Sequence, residues 1–286
     1  MKTNLIFLSL IIAILSIGFL SCEKESDILF YDDNIGEDVY LKTTSQIKPE
    51  DFYYVGEIHN EGLEYIYNGF KEVCLDSIGV MLDGVKDLTE MYFIQKVGID
   101  DKTVTYFCDS SFLDYVYFYN ETDFKCYWEY SISKIDFTVD AQKYLITNLF
   151  RDAADSDNPE ELSKLIDEYN NQAERTIFDT IALKEFYMCT TVLEYSSKYW
   201  YANLDKWNEI FQTKASEGWF NWNRVARTDA AGFVGGAIVG GAGAIGTGVG
   251  APAALGIAAR VGSIAAVSGS SADATVQLWD HWFGKP

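Results

Sequence analysis

Glu57, His59, Asn60, Glu61 and Glu64 form the densest set of chemically capable side chains in the sequence. Glu57, Glu61 and Glu64 fall on one helix face, where carboxylates can hold a metal ion or divide acid and base duties. The Glu-x-x-His spacing of di-iron bundles is absent, because Glu57 and His59 are two residues apart and face different ways. His59 instead keeps helical step with Leu63, Ile66, Phe70 and Val73, which reads as a hydrogen-bonded histidine in an apolar stripe. The other histidine is His281, and the sequence holds no Gly-x-Ser-x-Gly elbow, no His-Glu-x-x-His and no phosphate loop. Asp155-Ser156-Asp157 opens like a calcium loop, but Pro159 stands where a ligand is needed, so a helix cap explains it better. The expectation is therefore a non-enzymatic protein with no catalytic residue, no cofactor and no metal.

The elements that would position these residues read as helices. Ala141, Tyr144, Leu145, Asn148 and Leu149 make a second stripe. Asn158-Pro159-Glu160-Glu161 is a helix start, with Asn as cap, Pro in the first position and Glu161 reaching back to the cap. Leu162, Leu165, Ile166 and Tyr169 follow it at helical spacing. Residues 174–200 form a longer candidate helix, and Asn203 begins another ahead of Leu204, Trp207, Ile210 and Phe211. The stretch 101–137 is ambiguous: Thr103 to Phe107 has strand-forming residues, whereas Ser111 suits a helix cap. Only 4 prolines in 286 residues favour a mostly α body.

The N-terminus reads as an address. Met1 to Asn4 gives a short positive start, and Leu5 to Leu20 is apolar but shorter than the about 20 residues a spanning helix needs. Ser21 directly precedes Cys22, and no conventional cleavage site fits, since Phe19 or Leu20 would occupy the −3 position. The pattern resembles a bacterial lipobox, which implies a diacylated Cys22 at the mature N-terminus and a lipid-anchored place in the cell envelope, at the outer membrane on its periplasmic or outer side. Glu23, Glu25 and Asp27 then begin an acidic tether. Outside the cytoplasm Cys74, Cys108, Cys126 and Cys189 have two options, paired disulfides in any of three connectivities or free buried thiols. A net charge of −21, from 22 basic against 43 acidic residues, argues against nucleic acid as a partner.

The C-terminal region is the most informative. No charge occurs from Ala230 to Ala259, and over half of the chain's 22 glycines lie between Asp229 and Ser271. Val234, Ile238, Ile245 and Val249 mark one helix face, and Gly232, Gly236, Gly240 and Gly243 the opposite one. Gly232-x-x-x-Gly236-x-x-x-Gly240 and Gly246-x-x-x-Gly250 are small-residue zippers that let helix backbones approach closely. Each Gly costs about 0.8–1 kcal/mol against Ala in a helix, so such a run stays helical only in apolar surroundings. Pro252 is placed to open a second helix carrying Ile257, Val261 and Ile264, with Arg260 near its middle. The expected result is a helical hairpin with arms of roughly 20 and 17 residues. Trp219, Trp222, Trp279 and Trp282 would gather at its open end, as an interfacial belt or as caps on a soluble core.

Three stretches carry a family resemblance: the lipobox, Val55-Gly-Glu-Ile-His-Asn-Glu-Gly-Leu-Glu-Tyr-Ile66, and Asp229-Ala-Ala-Gly-Phe-Val-Gly-Gly-Ala237. In these the chain resembles uncharacterised glycine-zipper lipoproteins of gut Gram-negative anaerobes. The likeness implies location and architecture and carries no activity. More distantly, it is similar in architecture to pore-forming toxins that hide an Ala/Gly-rich hairpin within a helical bundle. The expected organisation is a signal peptide over 1–21, a tether over 22–50, a helical domain over 51–228, a glycine-zipper hairpin over 229–271 and an aromatic tail over 272–286. The partners expected are a membrane, through acylated Cys22, and other copies of the chain, through the hairpin. The rival readings are a membrane-active effector that inserts the hairpin, and an enzyme using the Glu57–Glu64 cluster.

Overall fold

A computed structural model describes residues 46–72, 77–121, 126–209, 220–246 and 251–283. The signal peptide, most of the tether, Cys22, Cys74, Trp219, Val249 and Gly250 lie outside them. Among the described residues the protein is all α, a multi-helix body closed around a C-terminal hairpin. After a 3-10 turn at Pro49–Phe52 come α1 (Tyr53–Phe70), α2 (Ile78–Gln95), α3 (Asp101–Glu121), α4 (Tyr127–Lys134), α5 (Asp140–Ala153), α6 (Pro159–Thr176), α7 (Thr180–Asn208), α8 (Trp222–Gly246) and α9 (Ala251–Phe283).

Local chemistry sets the helix starts. Ser77, Asp100, Asn158, Asp179 and Asn221 each accept from a backbone N–H three residues on, at 2.7–3.3 Å, and so satisfy an otherwise orphaned donor. Glu161 reaches back as expected, but to the Asp157 amide at 3.1 Å, not to the cap's own. The strand-like residues 103–107 are helical: Val104, Cys108, Phe112 and Tyr115 recur at helical steps and are buried, and that tertiary demand outweighs β propensity. Asn203 starts no helix. It lies inside α7 and donates to the Tyr199 carbonyl at 2.8 Å. In α5 the buried stripe is Gln142, Leu145, Ile146, Leu149, Phe150 and Ala153, while Tyr144 of the expected stripe is exposed. Ile47, within the span expected for the tether, is already in the core.

The hairpin is both longer and more central than its sequence pattern suggests. Its arms have 25 and 33 residues and pack antiparallel, with Thr228 beside Gly269, Gly232 beside Ala265 and Gly236 beside Val261. The arms therefore start before residue 229 and run past 271, and the expected aromatic tail is the last turns of α9. From Val261 to Leu278 every residue of α9 is buried. One apolar cluster, from α5, α6 and the first half of α7, closes on α8. A second, from α1, α2, α3 and the end of α7, closes on α9. The other helices thus wrap the hairpin, and their apolar side chains supply the dry surroundings that a glycine-dense helix needs.

The base of α8 also caps a neighbour. Arg227 donates to the Phe150 carbonyl at 3.3 Å and lies 5.9 Å from the centre of the Trp128 ring, while Asn223 donates to the Ala153 carbonyl. The last turn of α5 leaves those carbonyls without helical partners, and a cation there also complements the helix dipole.

Candidate functional site

His59 on α1 and Asp229 on α8 meet in the interior. Nε2 of the imidazole lies 3.3 Å from Oδ2 of the carboxylate, and both side chains are fully buried. Ser196 of α7 donates its hydroxyl to the same Oδ2, and Ser270 of α9 stands beside the carboxyl group. Trp200 Nε1 donates to Ser270 Oγ at 3.1 Å. The other ring nitrogen, His59 Nδ1, lies 3.0 Å from Asn60 Oδ1, and Asn60 Nδ2 donates to the Tyr195 carbonyl at 3.2 Å. Four helices converge on one carboxylate.

Burial pushes the Asp229 carboxyl above the usual carboxylate range, while His59, Ser196 and Ser270 pull it back. A buried charge of this kind is tolerated only when it is paired and hydrogen-bonded. The arrangement brings α1, α7, α8 and α9 together at one buried point. With no exposed atom it offers nothing to a substrate in this conformation. Two of the stretches that carry the sequence resemblance, around His59 and around Asp229, are therefore in direct contact.

A second polar knot closes the hairpin's open end. Asp273 on α9 is fully buried, pairs with Arg224 of α8 and accepts from Tyr115 of α3 at 2.6 Å. Gln277 donates to Asp273 at 3.1 Å and accepts from the Asn221 amide at 3.0 Å. The Asp273 charge holds the Arg224 guanidinium above its ordinary value, and burial pushes the Tyr115 phenol well up. Sequence reasoning missed Asp229, Asp273, Arg224, Ser196 and Ser270 as site residues. The available signal was Asp229 and Asp273, each set beside alanines in a stretch of small and apolar residues, since a carboxylate in such a helix needs a partner.

The acidic cluster does not converge. Glu57 and Glu61 are exposed, and Glu64 turns to Lys206, 2.5 Å away, and to Asn68 and Tyr199. No three His, Cys, Asp or Glu side chains among the described residues are placed to hold a metal ion. Cys108, Cys126 and Cys189 are free thiols.

Gly232, Gly236 and Gly240 face α9. A Cβ on Gly232 would stand 2.8 Å from the Ala265 carbonyl oxygen, one on Gly236 2.8 Å from that of Val261, and one on Gly240 2.9 Å from Val261 Cβ. Gly262 answers from α9, where a Cβ would stand 2.9 Å from the Phe233 carbonyl oxygen. Gly246 is the last residue of α8. Trp222 meets Tyr201 edge-on at 5.8 Å, and Trp279 packs on the second apolar cluster. The side chain of Trp282 lies outside the described set. No described helix is long and apolar enough to cross a membrane. No protein-family model, curated protein or solved structure matches the chain.

Proposed function

We propose that the chain is a lipid-anchored cell-envelope protein of non-enzymatic type, tethered by acylated Cys22, whose glycine-zipper hairpin serves close helix packing within its own fold. One observation carries this reading: the Gly232–Gly236–Gly240 stripe is already seated on the backbone of α9 in the same molecule. Self-association through that stripe requires the fold to open, so the folded chain is a monomer through this face. What it offers the envelope is a rigid helical body with an acidic exterior.

The membrane-active alternative inserts the hairpin into a bilayer. Against it stand Arg227 and Asp229, buried polar groups on the first arm whose partners Phe150, Trp128, His59 and Ser196 belong to the wrap and would be lost in lipid. Two experiments test the proposal. Cys22→Ser is expected to abolish palmitate incorporation and move the chain from the membrane fraction to the soluble one, and unchanged fractionation rejects the anchor. Sedimentation of the full chain is expected to give one copy. A dimer dispersed by Gly236→Leu, or dye leakage from vesicles that is lost on truncation after Thr228, rejects the packing role.

A further inference from the structure

The end of α8 and the start of α9 lie at the same end of the body as the chain's entry. α9 runs parallel to α1: Gly62 stands against Val267, and Arg260 lies near Tyr54, whose phenol burial raises to about 12 while the Arg260 charge pulls it back. Phe52 meets Tyr187 near the start of α7, with 6.4 Å between ring centres. The start of α7 in turn borders the end of α8, since a Cβ on Gly241 would stand 3.8 Å from Glu185 Oε1 and 3.4 Å from Ala258 Cβ. One end of the body therefore gathers the first described residues, the first turns of α7 and α9, and the last turns of α8.

That end presents apolar side chains to solvent. Phe178, just ahead of α7, is 82% exposed, Val239 on α8 is 60% exposed, and Ile181 is exposed in the first turn of α7. Gly256 is open, with nothing within 4 Å of an added Cβ. Between Asp229 and Asp273 the one charged residue is Arg260, which is exposed on α9. Acids at this end, among them Glu50, Asp51 and Asp179, lie off the arms; Asp51 accepts from the Lys48 amide and Asp179 from that of Ala182. Exposed apolar side chains beside a cation suit a phospholipid surface, where they enter the headgroup layer and the guanidinium reaches phosphate. Apolarity alone does not choose this end, because Leu113 on α3 is 69% exposed near the hairpin's open end, two residues before Tyr115.

The anchor chooses it. Only 24 residues separate Cys22 from Gln46, the first described residue. A coil of that length averages about 25–30 Å end to end. The 33 residues of α9 span about 50 Å, so the acyl chain draws this end, and not the open end, to the bilayer. We propose that the face formed by Phe178, Ile181, Val239, Gly256 and Arg260 docks on the phospholipid surface that holds the acyl chain, with the hairpin closed and its open end directed away. The docking rests on the lipid-anchored reading and requires no spanning by the hairpin. Tethering keeps the face at high effective concentration, so a contact too weak to retain the Cys22→Ser chain still orients the natural one.

The test uses the full chain in bacterial membranes, with the photo-crosslinker benzoylphenylalanine replacing Phe178, Val239 or Leu113 one at a time, and with palmitate incorporation read in the same preparations. Phospholipid adducts are expected at 178 and 239, several-fold above those at 113. Val239→Asp, in the chain probed at 178, is expected to lower the lipid adducts about tenfold, the factor that withdrawing one aliphatic side chain from water supplies. Its urea midpoint should not move, because Val239 is exposed. Equal adducts at all three positions, or protein adducts in place of lipid at 178 and 239, overturn the docking while palmitate upholds the anchor. Lipid adducts at 178 and 239 without palmitate keep the docking face and reject the anchor, and the absence of both rejects both. If Val239→Asp does not fold, the adducts at 178, 239 and 113 decide.

Discussion

Replacing Gly236 with Ala sets two known effects against each other in one position. Alanine gains about 0.8–1 kcal/mol over glycine in a helix interior. At Gly236 the added methyl would stand 2.8 Å from the Val261 carbonyl oxygen and 3.0 Å from both Gly262 Cα and Ala265 Cβ. Two of those atoms are backbone, so no side chain can swing away, and the arms must part by about half an ångström to reach ordinary contact. Overpacking of this kind costs about 1–3 kcal/mol, towards the upper end when the obstacle is rigid. The net expectation is a loss of about 1–2 kcal/mol. Gly256 supplies the control, because it lies in α9 with nothing within 4 Å of an added Cβ. Gly256→Ala should therefore gain most of the helix term, near 1 kcal/mol. Urea denaturation followed by circular dichroism reads both variants against the natural chain. Equal stability in Gly236→Ala and Gly256→Ala would refute the idea that backbone contact at the glycine stripe holds the hairpin together.

Other perturbations probe the polar groups. Glu185 is buried, its carboxyl raised by that burial, and it accepts from Gln142 Nε2 at 3.0 Å, while Gln142 Oε1 has no partner. A raised folded value means stability is present below pH ~4.3, the ordinary carboxyl value, and is lost as pH rises from there through the higher folded value. Glu185→Gln should remove this loss and supply a donor for Gln142 Oε1, gaining about 1 kcal/mol at pH 7 and little at pH 4 in paired melts. Asp273→Asn should cost about 2–3 kcal/mol, since it leaves Arg224 without its counter-charge; a melt within experimental error of the natural chain sinks that estimate. Burial raises the Cys108 thiol to about 12 and raises that of Cys189 as well, whereas Cys126 is partly exposed. Iodoacetamide at pH 8 should label Cys126 first, with Cys108 and Cys189 reacting only in urea, as read by peptide mass spectrometry.

Much of the architecture is written in local pattern. The Asn158-Pro159 start, the period of α1 and the small-residue spacing from Gly232 to Gly240 follow from hydrogen-bond geometry and a 3.6-residue repeat, which need no long-range information. The same information says that Gly232, Gly236 and Gly240 share a face. It does not say what sits on that face. Another copy, a lipid chain and the second arm all tolerate a smooth surface, and only the packed molecule puts the Ala265 and Val261 carbonyls there.

Tertiary structure also decided what local preference obscured. Residues 103–107 have strand propensity yet lie in α3, because Val104 and Cys108 are pulled into the core. The apparent break at Asn203 vanishes because α7 runs continuously across the hairpin. Above all, His59 and Asp229 are 170 positions apart, and nothing in either neighbourhood announces the other. Sequence could say that a buried histidine needs a hydrogen bond and that an aspartate heading an apolar helix needs a partner. Pairing them requires the distance between two helices that touch only after the chain has folded, and that distance is the one quantity a linear pattern does not contain.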